Sequence, residues 1–318
     1  KNIMTNKEKK AEDYFFRASA EDFKKIPGSP IAYWLSDIIF NIFDSATALG
    51  DIAKPMIGMR TGNNDKYMRR WFEVENNQSN YDALSSYDAK ISKKKWFPYQ
   101  KGGAFRRWYG NLDFVVNWYN DGFEIKENTL KNYPQLSLNN LGWKISNEKF
   151  YFNKGITWTA TSSSYFAVRY ADKGCLFDVK GSFCIPDDIQ LKPMLGLLCS
   201  KFTQDIVKVL NPTIEIQPRD IASIPYDKVQ LELDNELLDN TVAQLINLAR
   251  IDWDLYERSW RFIGSPLLCS GIFDKTIEIT YKNIRLKWDN SANEARNLEK
   301  QNNLVVINAY GLQDNLTP

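Results

Sequence analysis

The sequence predicts an α+β protein: a globule built on a mixed, mainly antiparallel sheet, followed by a helical spacer or arm. Two observations predict it. Up to about residue 228 the apolar and aromatic runs are short, and Gly, Pro, Asn and Asp turn signals interrupt them, which is the pattern of brief strands. Beyond that point, residues 231–260 keep helical spacing without Gly or Pro, and a second helical stretch runs from roughly Asp289 to Ala309. The predicted division is therefore 1–228 and 229–318, with residues 1–45 read as a linker or helix belonging to a preceding part. At 318 residues, 43% of them hydrophobic, the chain has apolar mass for one large core or two smaller ones.

Taken in order, Lys1–Asp13 is polar and does not read as an element. Pro27, Gly28 and Pro30 make a turn before a short helix expected near Ile31–Phe43. Asp51–Asn64 reads as a strand ending in the Thr61-Gly62-Asn63-Asn64 turn, and Lys66–Glu75 as the start of a strand or short helix. Gly102-Gly103 breaks the segment KKKWFPYQKGGAFRRWYGN like a hairpin, and strand character resumes through RRWYGNLDFVVNW. KGITWTATSSS, YFAVRY and CLFDVKG read as short strands. Leu191–Leu210 has helical period and stops at Asn211-Pro212. TIEIQPRDIASIPY follows as a strand and an extended exit. Thr276–Lys287 reads as a strand-like piece joining two antiparallel helices.

The composition excludes several chemistries. There is no histidine, which removes Ser-His-Asp and Cys-His catalysis and most zinc sites. The four cysteines show no CxxC spacing, and a reducing cytoplasm is the expected compartment. No apolar run approaches the roughly 18 residues of a membrane span. Phosphate-loop and dinucleotide-binding glycine motifs are missing, as is the Asn/Asp-Pro-Pro-Tyr/Phe motif that grips a flipped adenine. The chain reads as a piece of a longer protein that catalyses nothing alone.

Three clusters carry chemistry. The first is Lys93–Asn111, within a stretch from Ala89 to Leu112 that holds no Asp or Glu, although the whole chain is balanced at 41 basic and 39 acidic residues. Lys101, Arg106 and Arg107 can neutralise phosphates there, and Tyr109 can stack on a base or pack inward. The second is GMRTGNNDKYMRR, where Thr61, Asn63, Asn64, Lys66, Arg69 and Arg70 sit on a glycine turn. Asn can read adenine and Arg guanine. The third is KGITWTATSSSYFAVR, with Lys154, Thr157, Trp158, Ser162, Ser163 and Arg169. For each, the residues alone leave two readings open: a nucleic-acid contact, or an ordinary turn or strand edge over a core.

Taken together, these segments resemble the C-terminal half of the PglX family, the adenine-specific DNA methyltransferases of BREX phage defence. IGMRTGNNDKYMRRWFEV, KKWFPYQKGGAFRRWYGNLDFVVNW, FYFNKGITWT, FDVKGS, LGLLCSKFTQDIVKVLNPTIEIQPRDIASIP, DWDLYERSW and AYGLQDNLTP carry the resemblance in order, from about Phe23 to Pro318. The helix-stop-exit pattern is also similar to target recognition domains of restriction-modification specificity modules, in which a long helical spacer follows the recognition globule. The resemblance implies a target recognition domain that binds double-stranded DNA, with the TGNND, KGGAFRRWYGN and KGITWTATSSS positions as candidate contacts. It implies no cofactor in this chain, S-adenosylmethionine belonging to a methyltransferase domain elsewhere. A second reading makes the chain a protein-interaction module that docks other BREX subunits or a DNA-mimic inhibitor.

Overall fold

The computed structural model describes residues 19–162, 165–233, 235–268 and 276–318. Lys1–Asp13, Ser163 and Cys269 lie outside the described residues.

The fold is α+β. After α1 (Ala20–Lys24), helix α2 runs Asp37–Ser45, later than the expected 31–43. Its N-cap is Ser36, a residue type that favours this boundary over the apolar run before it. β1 (Thr47–Ala48) and α3 (Leu49–Ile52) follow. The strand expected from Asp51 is instead an extended chain holding isolated bridges, Met56 to Phe183 and Met59 to Asp178 and Ile145. α4 (Asn64–Tyr67) then leads into β2 (Met68–Arg70).

α5 (Ser86–Ile91) precedes β3 (Trp96–Gln100) and β4 (Phe114–Asn117). β4 lies between β2 and β3, antiparallel to both, with Phe97 opposite Val116 and Met68 also opposite Val116. α6 (Tyr119–Asn132) opens on three left-handed residues, Asn120, Asp121 and Gly122, where the sequence signals a turn. β5 (Gly155–Trp158) is the centre of a second sheet, antiparallel to β6 (Val168–Ala171). β7 (Leu176–Phe177) extends the first sheet parallel to β3, and β8 (Phe183–Cys184) completes the second beside β5. Phe97, Tyr99, Trp118, Phe152 and Phe177 form the core under the first sheet.

The stretch expected as one helix over Leu191–Leu210 is two, α7 (Asp188–Leu198) and α8 (Lys201–Leu210). Ser200 divides them because its hydroxyl accepts the Thr203 N–H as an N-cap, 3.2 Å away. The expected strand after Asn211 shrinks to a Thr161–Glu215 bridge, because Pro218 starts α9 (Pro218–Ala222). β9 (Pro225–Tyr226) pairs antiparallel with β1.

α10 (Lys228–Leu233), α11 (Asn235–Asp254) and α12 (Ile277–Ala309) complete the chain. Thr276–Lys287 is not strand-like. Thr276 caps α12 by accepting the Ile279 N–H at 3.2 Å, and the inward residues Thr280 and Ile284 stand four apart, one helical turn. α7, α11 and α12 meet closely at Gly196, where a Cβ would lie 2.6 Å from the Asn302 side-chain oxygen. The Asn302 amide donates to the Gly196 carbonyl at 3.0 Å. Ile156, Trp158, Leu198, Leu238, Val242 and Val306 share one core, so the second sheet and the long helices bury the same apolar surface. No helix among the described residues is long and apolar enough to cross a membrane.

Candidate nucleic-acid interface

Three glycines let three distant segments touch backbone to backbone. A Cβ on Gly58 would sit 1.7 Å from the Phe177 carbonyl oxygen, and one on Gly181 would sit 2.1 Å from that of Gln100. One on Gly102 would lie 2.9 Å from the Lys180 carbonyl oxygen, and its φ of +85° also favours glycine. The segments so joined line a cleft of about 490 Å³. It brings Thr61, Asn63, Asn64 and Lys101 together with Arg60, Lys144, Asp178, Lys180 and Glu215.

The charges on this cleft are unequally free. Asp178 is buried and accepts from the Tyr99 hydroxyl at 2.7 Å, the Lys101 ammonium at 2.6 Å and the Lys180 N–H at 2.7 Å. Burial, and then the negative charge of Asp178, push the Tyr99 hydroxyl well above its usual pKa. Lys180 pairs with Glu215 at 2.7 Å, and this contact holds the Glu215 carboxyl below its usual pKa. By contrast, no carboxylate pairs with Arg60 or Lys144 among the described residues. Arg60 donates to the Trp143 carbonyl at 2.7 Å and lies over the Trp143 ring. Lys144 is held 4.0 Å from the centre of the Tyr133 ring and 4.1 Å from that of Trp143.

The turn at Gly62 (φ +75°) is built by its own polar side chains. Asn63 caps α4 by accepting the Lys66 N–H at 3.0 Å. The buried Thr61 hydroxyl donates to the Asn64 side-chain oxygen at 2.6 Å. Beside this rim, Lys66 lies over the Tyr67 ring and Arg70 over the Phe114 ring, while Arg69 donates to the Met68 carbonyl at 2.7 Å.

The other predicted residues sit elsewhere. Arg106 pairs with Asp252 of α11 at 2.9 Å, and Arg107 with Glu299 of α12 at 2.7 Å. The carboxylates missing from their own segment thus arrive from the helices, and both arginines join the sheets to those helices. Tyr109 is buried and donates to Asp172 at 2.9 Å. Thr157, Trp158 and Arg169 lie beneath the surface, because β5 is the central strand of its sheet and β6 packs against α7. Lys154 pairs with Asp188 at 2.9 Å. Ser162 lies at the edge of a separate hollow beside α8. Sequence reasoning missed Arg60, Lys144 and Lys180 as cleft residues. Lys180-Gly181 repeats the Lys101-Gly102 dipeptide, a signal that pairs a cation with a backbone able to come close.

No protein-family model matches the chain. It is 36% identical over 312 residues to "Adenine-specific methyltransferase PglX" of Lacticaseibacillus casei (strain Zhang). The chain is homologous to part of an adenine-specific methyltransferase. It is also 35% identical over 251 residues to "Adenine-specific methyltransferase BrxX" of Escherichia coli O9:H4 (strain HS). The matches take in 96% and 78% of this chain, but only 25% and 18% of those two proteins. The chain therefore spans a quarter or less of the length of these curated relatives.

Proposed function

We propose that this chain is the duplex-DNA recognition module of an adenine N6 DNA methyltransferase in BREX phage defence. Residues 1–228 hold the duplex, and residues 229–318 act as the helical spacer. The observation that carries the reading is the cleft where Arg60 and Lys144 keep charges unspent on carboxylates beside the exposed amides of Asn63 and Asn64. Such cations attract phosphates through counterion release, and side chains at the rim meet base edges. The homology to adenine-specific methyltransferases supports DNA as the partner. S-adenosylmethionine and the flipped adenine belong to the remainder of the full-length protein.

The test is duplex binding by the full-length protein across a salt series. The expected result is a log–log slope that loses about one unit in Arg60→Ala and again in Lys144→Ala. Slopes identical to wild type in both variants would remove this cleft as the DNA contact.

A further inference from the structure

This inference rests on the duplex-recognition reading and concerns what the rim selects. Both rim amides have their oxygens occupied from within. The Asn63 Oδ1 accepts the Lys66 N–H at 3.0 Å, and that partner fixes which end of the amide points inward, since an N–H can bond only the oxygen. The Asn64 Oδ1 accepts the Thr61 hydroxyl at 2.6 Å. Neither Nδ2 group has a partner among the described residues, and both residues are exposed. The acids on the cleft are engaged, Asp178 by Tyr99 and Lys101, and Glu215 by Lys180. The outward groups of the rim itself are N–H donors: the two amide Nδ2 groups, with the Arg60 guanidinium beside them.

A rim whose outward amide groups are donors favours a ligand edge made of acceptors. In the major groove, guanine offers N7 and O6, two adjacent acceptors. Adenine offers an acceptor beside a donor, and cytosine offers a donor. Asn reads adenine only with its oxygen and nitrogen both free, and here the oxygens are turned inward.

We propose that the Asn63–Asn64 rim reads the N7/O6 edge of a guanine at a fixed position of the recognition site, and discriminates against adenine there.

The experiment uses Asn63→Asp and Asn64→Asp in the full-length protein, with the N6-methyladenine motif of host DNA as readout. Aspartate keeps the inward acceptor for the Lys66 N–H and the Thr61 hydroxyl, so α4 stays capped, while the outward donor becomes an acceptor. The expected result is that one guanine of the wild-type motif is lost or replaced by cytosine while the other positions hold. In parallel, a duplex with 7-deazaguanine at that position binds about tenfold or more weakly, and 7-deaza-adenine at other positions has no such effect. A uniform loss of binding with the motif unchanged would assign the rim to phosphate and overturn base reading. An unchanged motif with unchanged binding would overturn it as well. Failure of the wild-type protein to bind any duplex would instead overturn the recognition reading on which the inference rests.

Discussion

Arg106 and Asp252 face each other at 2.9 Å across the junction between the sheets and α11. Next to Asp252, the Trp253 ring carries two guanidinium groups, Arg106 at 5.1 Å and Arg258 at 4.6 Å. Arg258 is bonded to Asp113 at 2.9 Å, and Trp71 donates to the Arg258 carbonyl at 2.8 Å. Gly110 (φ +119°) makes room, since a Cβ there would lie 2.5 Å from Arg106 and 2.8 Å from Trp253. The motif DWDLYERSW is thus a clamp between helix and sheet.

Trp253 is fully buried in this clamp, whereas the Asp252 side chain is half exposed. Trp253→Ala is expected to cost about 3–5 kcal/mol in urea unfolding. A double-mutant cycle on Arg106 and Asp252 is expected to return under about 1 kcal/mol, because solvent screens the pair. The reverse ranking would show that charge, rather than the ring, holds the junction.

Lys101 is held by Asp178 at 2.6 Å, so its charge is already compensated. Lys101→Ala is expected to leave the salt slope of duplex binding near wild type, whereas Arg60→Ala and Lys144→Ala lower it. Asp178→Ala strips the acceptor from a buried hydroxyl and an ammonium and is expected to destabilise by about 3–5 kcal/mol. Denaturant midpoints and salt titrations read the two effects separately.

Arg169 is a fully buried guanidinium whose Nε and Nη2 have no partner. Its remaining nitrogen donates to the Thr159 hydroxyl and the Arg106 carbonyl, both at 3.3 Å. Burial, and then the like charge of Arg106, hold its pKa down to about 10, and no carboxylate pairs with it among the described residues. An uncompensated cation in this place costs stability. Arg169→Met, similar in length and apolar, is expected to raise the melting temperature and leave duplex binding intact. A fall of several degrees would show that the charge is needed.

Stability is expected to fall above about pH 9. Burial pushes the thiols of Cys175, Cys184 and Cys199 from the usual 9.0 up to about 12, and it also raises the hydroxyls of Tyr99, Tyr109, Tyr151 and Tyr310. These groups keep their protons in the fold after the unfolded chain has released them. The stability they contribute is complete below the usual pKa and is lost as pH rises toward the folded one. Arg169 has the opposite sign, since its folded pKa is lowered, but it is one group against many. A denaturation midpoint that stays level from pH 8 to 11 would contradict this ordering.

The sequence made local features legible because local chemistry sets them. The Gly62 turn and the stop at Asn211 each depend on residues two or three positions away. What escaped was long range. Glu299 lies 192 positions from Arg107, and Asp252 lies 146 from Arg106, so no window of sequence reveals that those arginines are neutralised. Lys144 looked ordinary between Trp143 and Ile145 until the fold set it against the Tyr133 ring. The strand-like pattern of Thr276–Lys287 came from its β-branched residues, and the cap at Thr276 overrode that preference.

The segments that carry the cleft meet main chain to main chain where side chains are excluded, at Gly58, Gly102 and Gly181. Its shape therefore depends on main-chain contacts that are indifferent to the identity of the residues mounted above. The outward ends of Asn63 and Asn64 stand on this frame, and their inward oxygens are tied to it by the Lys66 N–H and the Thr61 hydroxyl. A side chain placed at any of these three glycines therefore moves the whole recognition surface, whereas a change at an outward amide alters one contact.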